Sequence, residues 1–219
     1  MLNGMNEPTA EFDNVTVFHH PLIEHNLAIL RNEKTDNRLF RETLSILSQL
    51  LVYEITRTLP TEEVVVQTPL EKCTCRQVAP QILLVPILRA GLGMAESMQR
   101  LLPNARTGHI GIYRNEETRE PVEYYCKMPP GAEKMKAFLV DPMLATGGSL
   151  TYAATKLKER GIRDITVVCI VSAPTGIRAV RAAHPELPIF TAALDRELNE
   201  RAYILPGLGD CGDRIFGTL

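Results

Sequence analysis

The sequence has no apolar run approaching the roughly 20 residues of a membrane-spanning helix. Its formal charge of −2 leaves no basic surplus with which to hold nucleic acid or a lipid surface. The five cysteines (Cys73, Cys75, Cys126, Cys169, Cys211) are odd in number and lack framework spacing, so free thiols in a reducing compartment are expected. Cys73-Thr74-Cys75 has no second pair with which to complete a zinc site. There is no internal repeat and no low-complexity tract. The opening MLNGMNEPTAEFDN is polar and acidic, so residues 1–14 read as a flexible tail rather than a signal peptide. What remains, 219 residues of which 45% are hydrophobic and 23% charged, suits one α/β domain over 15–219 in the cytoplasm.

The most informative stretch is Phe138-Leu139-Val140-Asp141-Pro142-Met143-Leu144-Ala145-Thr146-Gly147-Gly148-Ser149-Leu150. An apolar strand over 137–140 ends at an acid, and a short loop then closes on Thr-Gly-Gly-Ser. Leu150, Ala153, Ala154 and Leu157 follow at helical spacing, with Gly161 as the stop. Strand, glycine turn and helix N-terminus together form an anion cradle, because unpaired N–H groups and the helix dipole converge there. The nucleoside-triphosphate loop does not fit, since Gly-Ser-Leu follows Gly147 and the next lysine is Lys156. Nor does the dinucleotide fingerprint, because its three spaced glycines are missing. Asp141 would repel a phosphate but accepts well from sugar hydroxyls. A ribose 5-phosphate satisfies both halves, although a plain strand-to-helix turn has the same punctuation.

Along the chain, His20-Pro21 opens a helix with Ile23, Leu27 and Leu30 on one face, and Thr35 or Asp36 caps a longer one carrying Phe40, Leu44, Leu47, Leu51 and Ile55. His19, His20 and His25 lack partners at ligand spacing and read as surface or cap residues. Residues 64–68 and 76–78 form a hairpin. Residues 82–87 are a strand covered on both faces, leading into Leu88-Arg89-Ala90-Gly91 and a helix carrying Met94, Met98, Leu101 and Leu102. Arg89 stands where open α/β sheets bind ligands, and its guanidinium matches two diphosphate oxygens, although a surface arginine can occupy a strand end as well. A strand over 108–113 precedes a charged segment that reads as two extended arms around a mobile turn, either a flap (113–126) or a merely solvated hairpin tip. Strands over 165–171 and 189–193, with a helix between them, continue the alternation that gives a mostly parallel sheet flanked by helices. The tail over 203–218, with four glycines and a proline, reads as neither helix nor central strand.

Four segments, VDPMLATGGS, PILRAGLGM, the stretch from Arg114, and the tail YILPGLGDCGDR, resemble uracil phosphoribosyltransferases in the family's order, from about His20 to Thr218. The resemblance implies the type I phosphoribosyltransferase fold, with a β-hairpin flap and a base-binding hood over 195–219 set against the N-terminal helices. It implies transfer of phosphoribose from phosphoribosyl diphosphate to uracil. Arg89 and Arg114 then take up the diphosphate charge, and Asp141 orients the ribose. Pro142, Met143, Leu144, Ala145, Thr146, Gly147, Gly148 and Ser149 line the 5-phosphate loop, and Asp210 faces the donor. Tyr203, Ile204, Gly209, Asp210 and Cys211 meet the base, Cys211 standing where the family usually has Ala. Mg²⁺ is expected to arrive with the diphosphate, because no protein cluster of hard oxygen ligands is visible. The resemblance also implies a homodimer or higher homo-oligomer and, in some relatives, activation by GTP. Two rivals remain: a nucleotide-sensing, RNA-binding regulator on the same fold, which the charge of −2 disfavours, and a phosphoribosyltransferase for purines, against which the tail speaks.

Overall fold

A computed structural model describes residues 8–9, 12–114 and 121–218. In chain order the elements are β1 (Pro8–Thr9), β2 (Phe12–Val17), α1 (Pro21–Arg31), α2 (Asn37–Ile55), β3 (Thr61–Gln67), β4 (Lys72–Val78), β5 (Ile82–Leu88) and α3 (Gly91–Gln99). There follow β6 (Arg106–Thr107), β7 (His109–Arg114), β8 (Pro121–Lys127), β9 (Lys136–Val140), β10 (Met143–Leu144), α4 (Gly148–Glu159), β11 (Ile165–Ser172) and α5 (Pro174–Ala183). The chain closes with β12 (Ile189–Leu194), β13 (Glu197–Leu198), β14 (Ile204–Leu205) and α6 (Cys211–Phe216).

The sheet runs β1-β2-β12-β11-β9-β5-β7-β8. From β2 to β7 every neighbour is parallel, and only the edge pairs β1–β2 and β7–β8 are antiparallel. Its central strands are buried on both faces, as their unbroken apolar sequences require. Alternate residues serve alternate layers. Leu84, Phe138, Val140 and Val168 pack with α1, α2, α3 and α6, whereas Leu83, Val85, Leu139 and Val167 pack with α4 and α5. The result is a three-layer α/β/α molecule with a core on each side of the sheet.

The helix boundaries follow local chemistry. His20 caps α1 through Nδ1, which accepts from Leu22 N at 3.1 Å, and Asp36 caps α2 by accepting from Leu39 N at 2.8 Å. The expected face of α3 is too long: the helix ends at Gln99, Leu101 is exposed, and Leu102 only flanks the core. At the N-terminus, β2 begins at Phe12, ahead of the boundary expected at residue 15. Phe12 is buried with the Arg178 and Arg181 guanidinium groups over its ring. The tail corrects a further expectation, because Cys211–Phe216 is a helix. Only Gly212 of the four glycines lies inside it. Asp210 caps its start, and Gly217, at φ +67°, ends it.

Hairpin β3–β4 pairs only with itself among the described residues and is largely exposed. Val64 lies opposite Cys75 and Val66 opposite Cys73, with the two sulfurs 3.6 Å apart on one face.

Phe138, fully buried on β9, tests which packing carries the fold. Phe138→Ala is expected to lower the unfolding free energy by about 3–5 kcal/mol. Urea titration should show the midpoint fall with the m-value unchanged.

Candidate active site

Asp141 stands one residue beyond β9. Its N–H bonds Val168 O of β11 at 3.2 Å, and its Oδ1 accepts from Met143 N at 3.1 Å, a local turn that fixes the carboxylate at the strand tip. Pro142 is buried, and its carbonyl accepts from Ile170 N and Val171 N. Met143–Leu144 then adds two rungs to β11. Pro142 thus ties the link between β9 and β10 to β11 and aims the loop, while Ala145 to Gly147 turn from β10 into α4. Gly147, at φ +84°, is the residue ahead of that helix and offers no side-chain cap, so the first N–H groups of α4 face the loop. A Cβ at Gly147 would lie 2.7 Å from Gly176 O and 2.8 Å from Ala179 Cβ, so only glycine lets the loop sit against α5.

Arg89 follows β5, the strand beside β9, across a cis Leu88–Arg89 peptide bond. Its guanidinium carbon lies 5.4 Å from the Phe216 ring centroid, so the end of α6 supports it. Arg114 is the last residue of β7, the neighbour of β5 on its other side, and its side chain lies outside the described residues, as does the flap tip over 115–120. Of the segment read as a flap over 113–126, the described residues lie in the antiparallel pair β7–β8.

Arg89, Ala90, Asp141, Met143, Leu144, Ala145, Gly147, Ser149, Asp210 and Gly212 line one open cleft of about 240 Å³, with Ile87, Leu88, Ile112 and Leu150 as its apolar wall. Two loops and the tail, separated by up to about 120 residues of sequence, therefore meet at the carboxyl ends of β5 and β9. Pro142 and Thr146, in the links, and Gly148, the first residue of α4, are outside this lining.

The tail divides. Asp210 reaches the cleft, and its Oδ1 also accepts from Asp213 N at 2.9 Å. Gly209 lines a neighbouring pocket on the other side of Asp210, with Gly207, Leu208 and Arg214. Ile204 and Cys211 are buried in the core with α1 and α2, so the Cys211 sulfur packs inward rather than lining the cleft. Tyr203 is exposed, with its N–H on Asn199 Oδ1 and its carbonyl on Asn199 N. Three anchors of this segment escaped the sequence reading. Arg31 and Asp195 hold Gly207, and Arg214 holds the Leu208 carbonyl. Asp195 had a visible signal, since it follows β12 as Asp141 follows β9. The arginines had none: Arg31 meets Asp195 and the Gly207 carbonyl more than 160 residues away, and Arg214 joins the Leu208 carbonyl to the distant Leu30 and Asn32 carbonyls.

The cleft combines a cation, two carboxylates and a helix N-terminus. That set can hold a sugar phosphate, with anion donors at the phosphate end and acceptors toward the hydroxyls. Asp141 and Asp210 are hard oxygen donors, suited to an ion carried in on phosphate oxygens with its waters. Among the described residues no group of three or more His, Cys, Asp or Glu side chains gathers as a self-contained metal site.

A family model described as uracil phosphoribosyltransferase matches residues 17–218. A uracil phosphoribosyltransferase of Clostridium perfringens is 51% identical over 205 residues, covering 93% of this chain and 98% of that protein. One from Streptococcus pyogenes is 53% identical over 203 residues, covering 92% and 97%. Among solved structures, the AQ2163 protein of Aquifex aeolicus superposes with a TM-score of 0.87 at 37% identity, covering 92% of this chain and 97% of that one. An adenine phosphoribosyl transferase from Trypanosoma brucei, solved with AMP, pyrophosphate and ribose-5-phosphate, shares the fold at TM-score 0.59 and 12% identity, covering 83% of this chain and 84% of that one.

Two thiols beside the cleft provide a test of its electrostatics. Burial pushes the Cys169 thiol well up, and the Asp141 charge adds to it. The Cys211 thiol is raised by burial, then by the Asp141 and Asp210 charges, against an opposing pull from Arg214. Above about pH 8.5 the unfolded chain loses these protons while the folded chain keeps them. The stabilisation is therefore full below that pH and is lost as pH rises, by up to about 1.4 kcal/mol per pH unit for each thiol. Urea unfolding between pH 8 and 10 is expected to show a shallower fall for Cys169→Ala and for Cys211→Ala than for the parent chain.

Proposed function

The chain belongs to the uracil phosphoribosyltransferase family, and on that footing we propose that its cleft joins uracil to phosphoribose, forming UMP and diphosphate from 5-phospho-α-D-ribose 1-diphosphate in pyrimidine salvage. The observation that supports this most is the meeting of Arg89, Asp141, the loop before α4 and Asp210 around one space.

In this reading the 5-phosphate sits on the N–H groups around Gly147 to Ser149, with the Thr146 and Ser149 hydroxyls beside it, and Asp141 accepts from the ribose hydroxyls. The C1–diphosphate bond breaks as the C1–N1 bond to uracil forms, and the N1 proton is released. Positive charge grows on the sugar ring and negative charge on the leaving group, so positioning and charge stabilisation carry the rate. Arg89 takes up the diphosphate charge, with Arg114 joining it from the flap as the flap excludes water. Asp210 faces the donor from the hood. Asp141 and Asp210 are the residues that would hold a Mg²⁺ brought in with the diphosphate, which would supply further charge neutralisation. The tail from Tyr203 to Cys211 forms the base pocket, where backbone groups pair with the uracil edge. The working form is a cytoplasmic homo-oligomer.

Arg89→Ala is expected to lower turnover by about 10²–10³-fold while changing uracil binding little, as befits a charge met chiefly in the transition state. Unchanged turnover would remove Arg89 from the reaction. Removal of divalent ions with EDTA should abolish transfer, and Mg²⁺ should restore it.

A base panel with radiolabelled uracil, cytosine, thymine and hypoxanthine tests the substrate. Backbone donors that fit two carbonyls meet an amino group in cytosine, a mismatch on the order of 10⁴-fold, against roughly 10–200-fold for the thymine methyl. Comparable rates with cytosine would refute the base pocket, and a preference for hypoxanthine would turn the reading to purines.

A further inference from the structure

We propose that Arg31 and Asp195 are positioning residues that set where the base lies relative to the sugar. The inference rests on the reading of the tail as the base pocket, and it assigns that pocket a support that no motif contains.

Asp195 stands one residue beyond β12, and its N–H bonds Ser172 O, at the end of β11, at 2.8 Å. Its carboxylate is therefore referenced to the sheet, two strands from the strand that ends at Asp141. That carboxylate is 5% exposed and takes Arg31 in a two-point pair, Nη2 to Oδ1 at 2.6 Å and Nη1 to Oδ2 at 2.8 Å. Both partners then turn to one residue of the tail. Gly207 N donates to Asp195 Oδ2 at 2.9 Å, and Arg31 Nη1 donates to Gly207 O at 2.8 Å. The backbone donor and acceptor of Gly207 are thus closed into a ring with one ion pair, a geometry that fixes both translation and tilt.

Gly207 cannot be replaced there. It sits at φ +60°, and a Cβ would fall 2.1 Å from Ile204 O. Arg214 adds a second grip one residue on, donating to Leu208 O at 2.7 Å and to Asn32 O at 2.7 Å, with its guanidinium 4.3 Å from the Phe40 ring centroid. Between them these grips fix the residues that lead straight into Gly209-Asp210.

A long-range ion pair could merely stabilise the fold. Its focus on the two peptide groups of a single pocket residue is what a placement device requires. An error of about 1 Å between reacting atoms can cost on the order of 10²-fold in rate. A lysine keeps the charge of Arg31 but cannot reach both carboxylate oxygens and a carbonyl at once, and an asparagine keeps the shape of Asp195 with one acceptor oxygen.

The test is steady-state kinetics on full-length Arg31→Lys and Asp195→Asn, with donor binding measured by equilibrium dialysis without uracil to show that the cleft is folded. Each variant is expected to raise KM for uracil about tenfold or more and to lower kcat, with KM for the donor within about twofold of the parent. The double variant should be little worse than either single one, because one ring is broken in each case. Equal rises in both KM values, or a lower melting temperature with both unchanged, would overturn the placement role. A parent chain that does not use uracil would instead overturn the reading beneath it, so the two failures are distinguishable.

Discussion

Parallel pairing is the constraint on which the site depends. Because β5, β9, β11 and β12 all run the same way, their carboxyl ends open on one edge, and every turn leaving them points into the same space. Arg89, Asp141 and Asp195 each stand one residue beyond such an end, at three strands of one sheet. The hydrogen-bond ladder, inflexible along the strands, holds these charges at fixed offsets that no single loop could maintain. An antiparallel neighbour in the centre would have sent one of them to the opposite edge.

Charge in the cleft is balanced rather than of one sign. Arg89 and the start of α4 are set against Asp141 and Asp210, so one cleft offers both donors suited to an anion and acceptors suited to hydroxyls. The two neighbouring cysteines keep their protons because they are buried near those carboxylates, and they add no third negative charge. The hood carries its arginines outside this space, on the far side of Gly207 and Leu208, where they hold backbone and leave the cleft's potential to Arg89.

The sequence made the sheet readable because apolar runs bounded by glycine and acid admit few other structures, and 137–140 with Asp141 is the clearest case. It made the turn into α4 readable because a glycine at a helix start, here Gly147 at φ +84°, marks such a turn whatever it holds. The tail was harder. Its glycine count concealed α6, because Asp210 and Gly217 act as the two caps and leave one glycine inside, an arrangement visible only once the helix is seen. The Arg31–Asp195–Gly207 ring is unreadable in one dimension, since it unites the end of α1, the end of β12 and a backbone turn. The length of α3 misled for a local reason: Leu101 and Leu102 continue the apolar spacing past the point where the chain turns toward β6.

The division of the core by the sheet has an evolutionary consequence. The Gly147 turn sits against α5 and opens α4 on one face, while Ile204, Leu208 and Cys211 of the tail pack with α1, α2 and α6 on the other. Substitutions in the packing beneath the tail are met first by side chains on their own side of the sheet, because the two sets alternate along the same strands. A lineage can therefore vary the packing under the tail while the turn seated on α5 is kept.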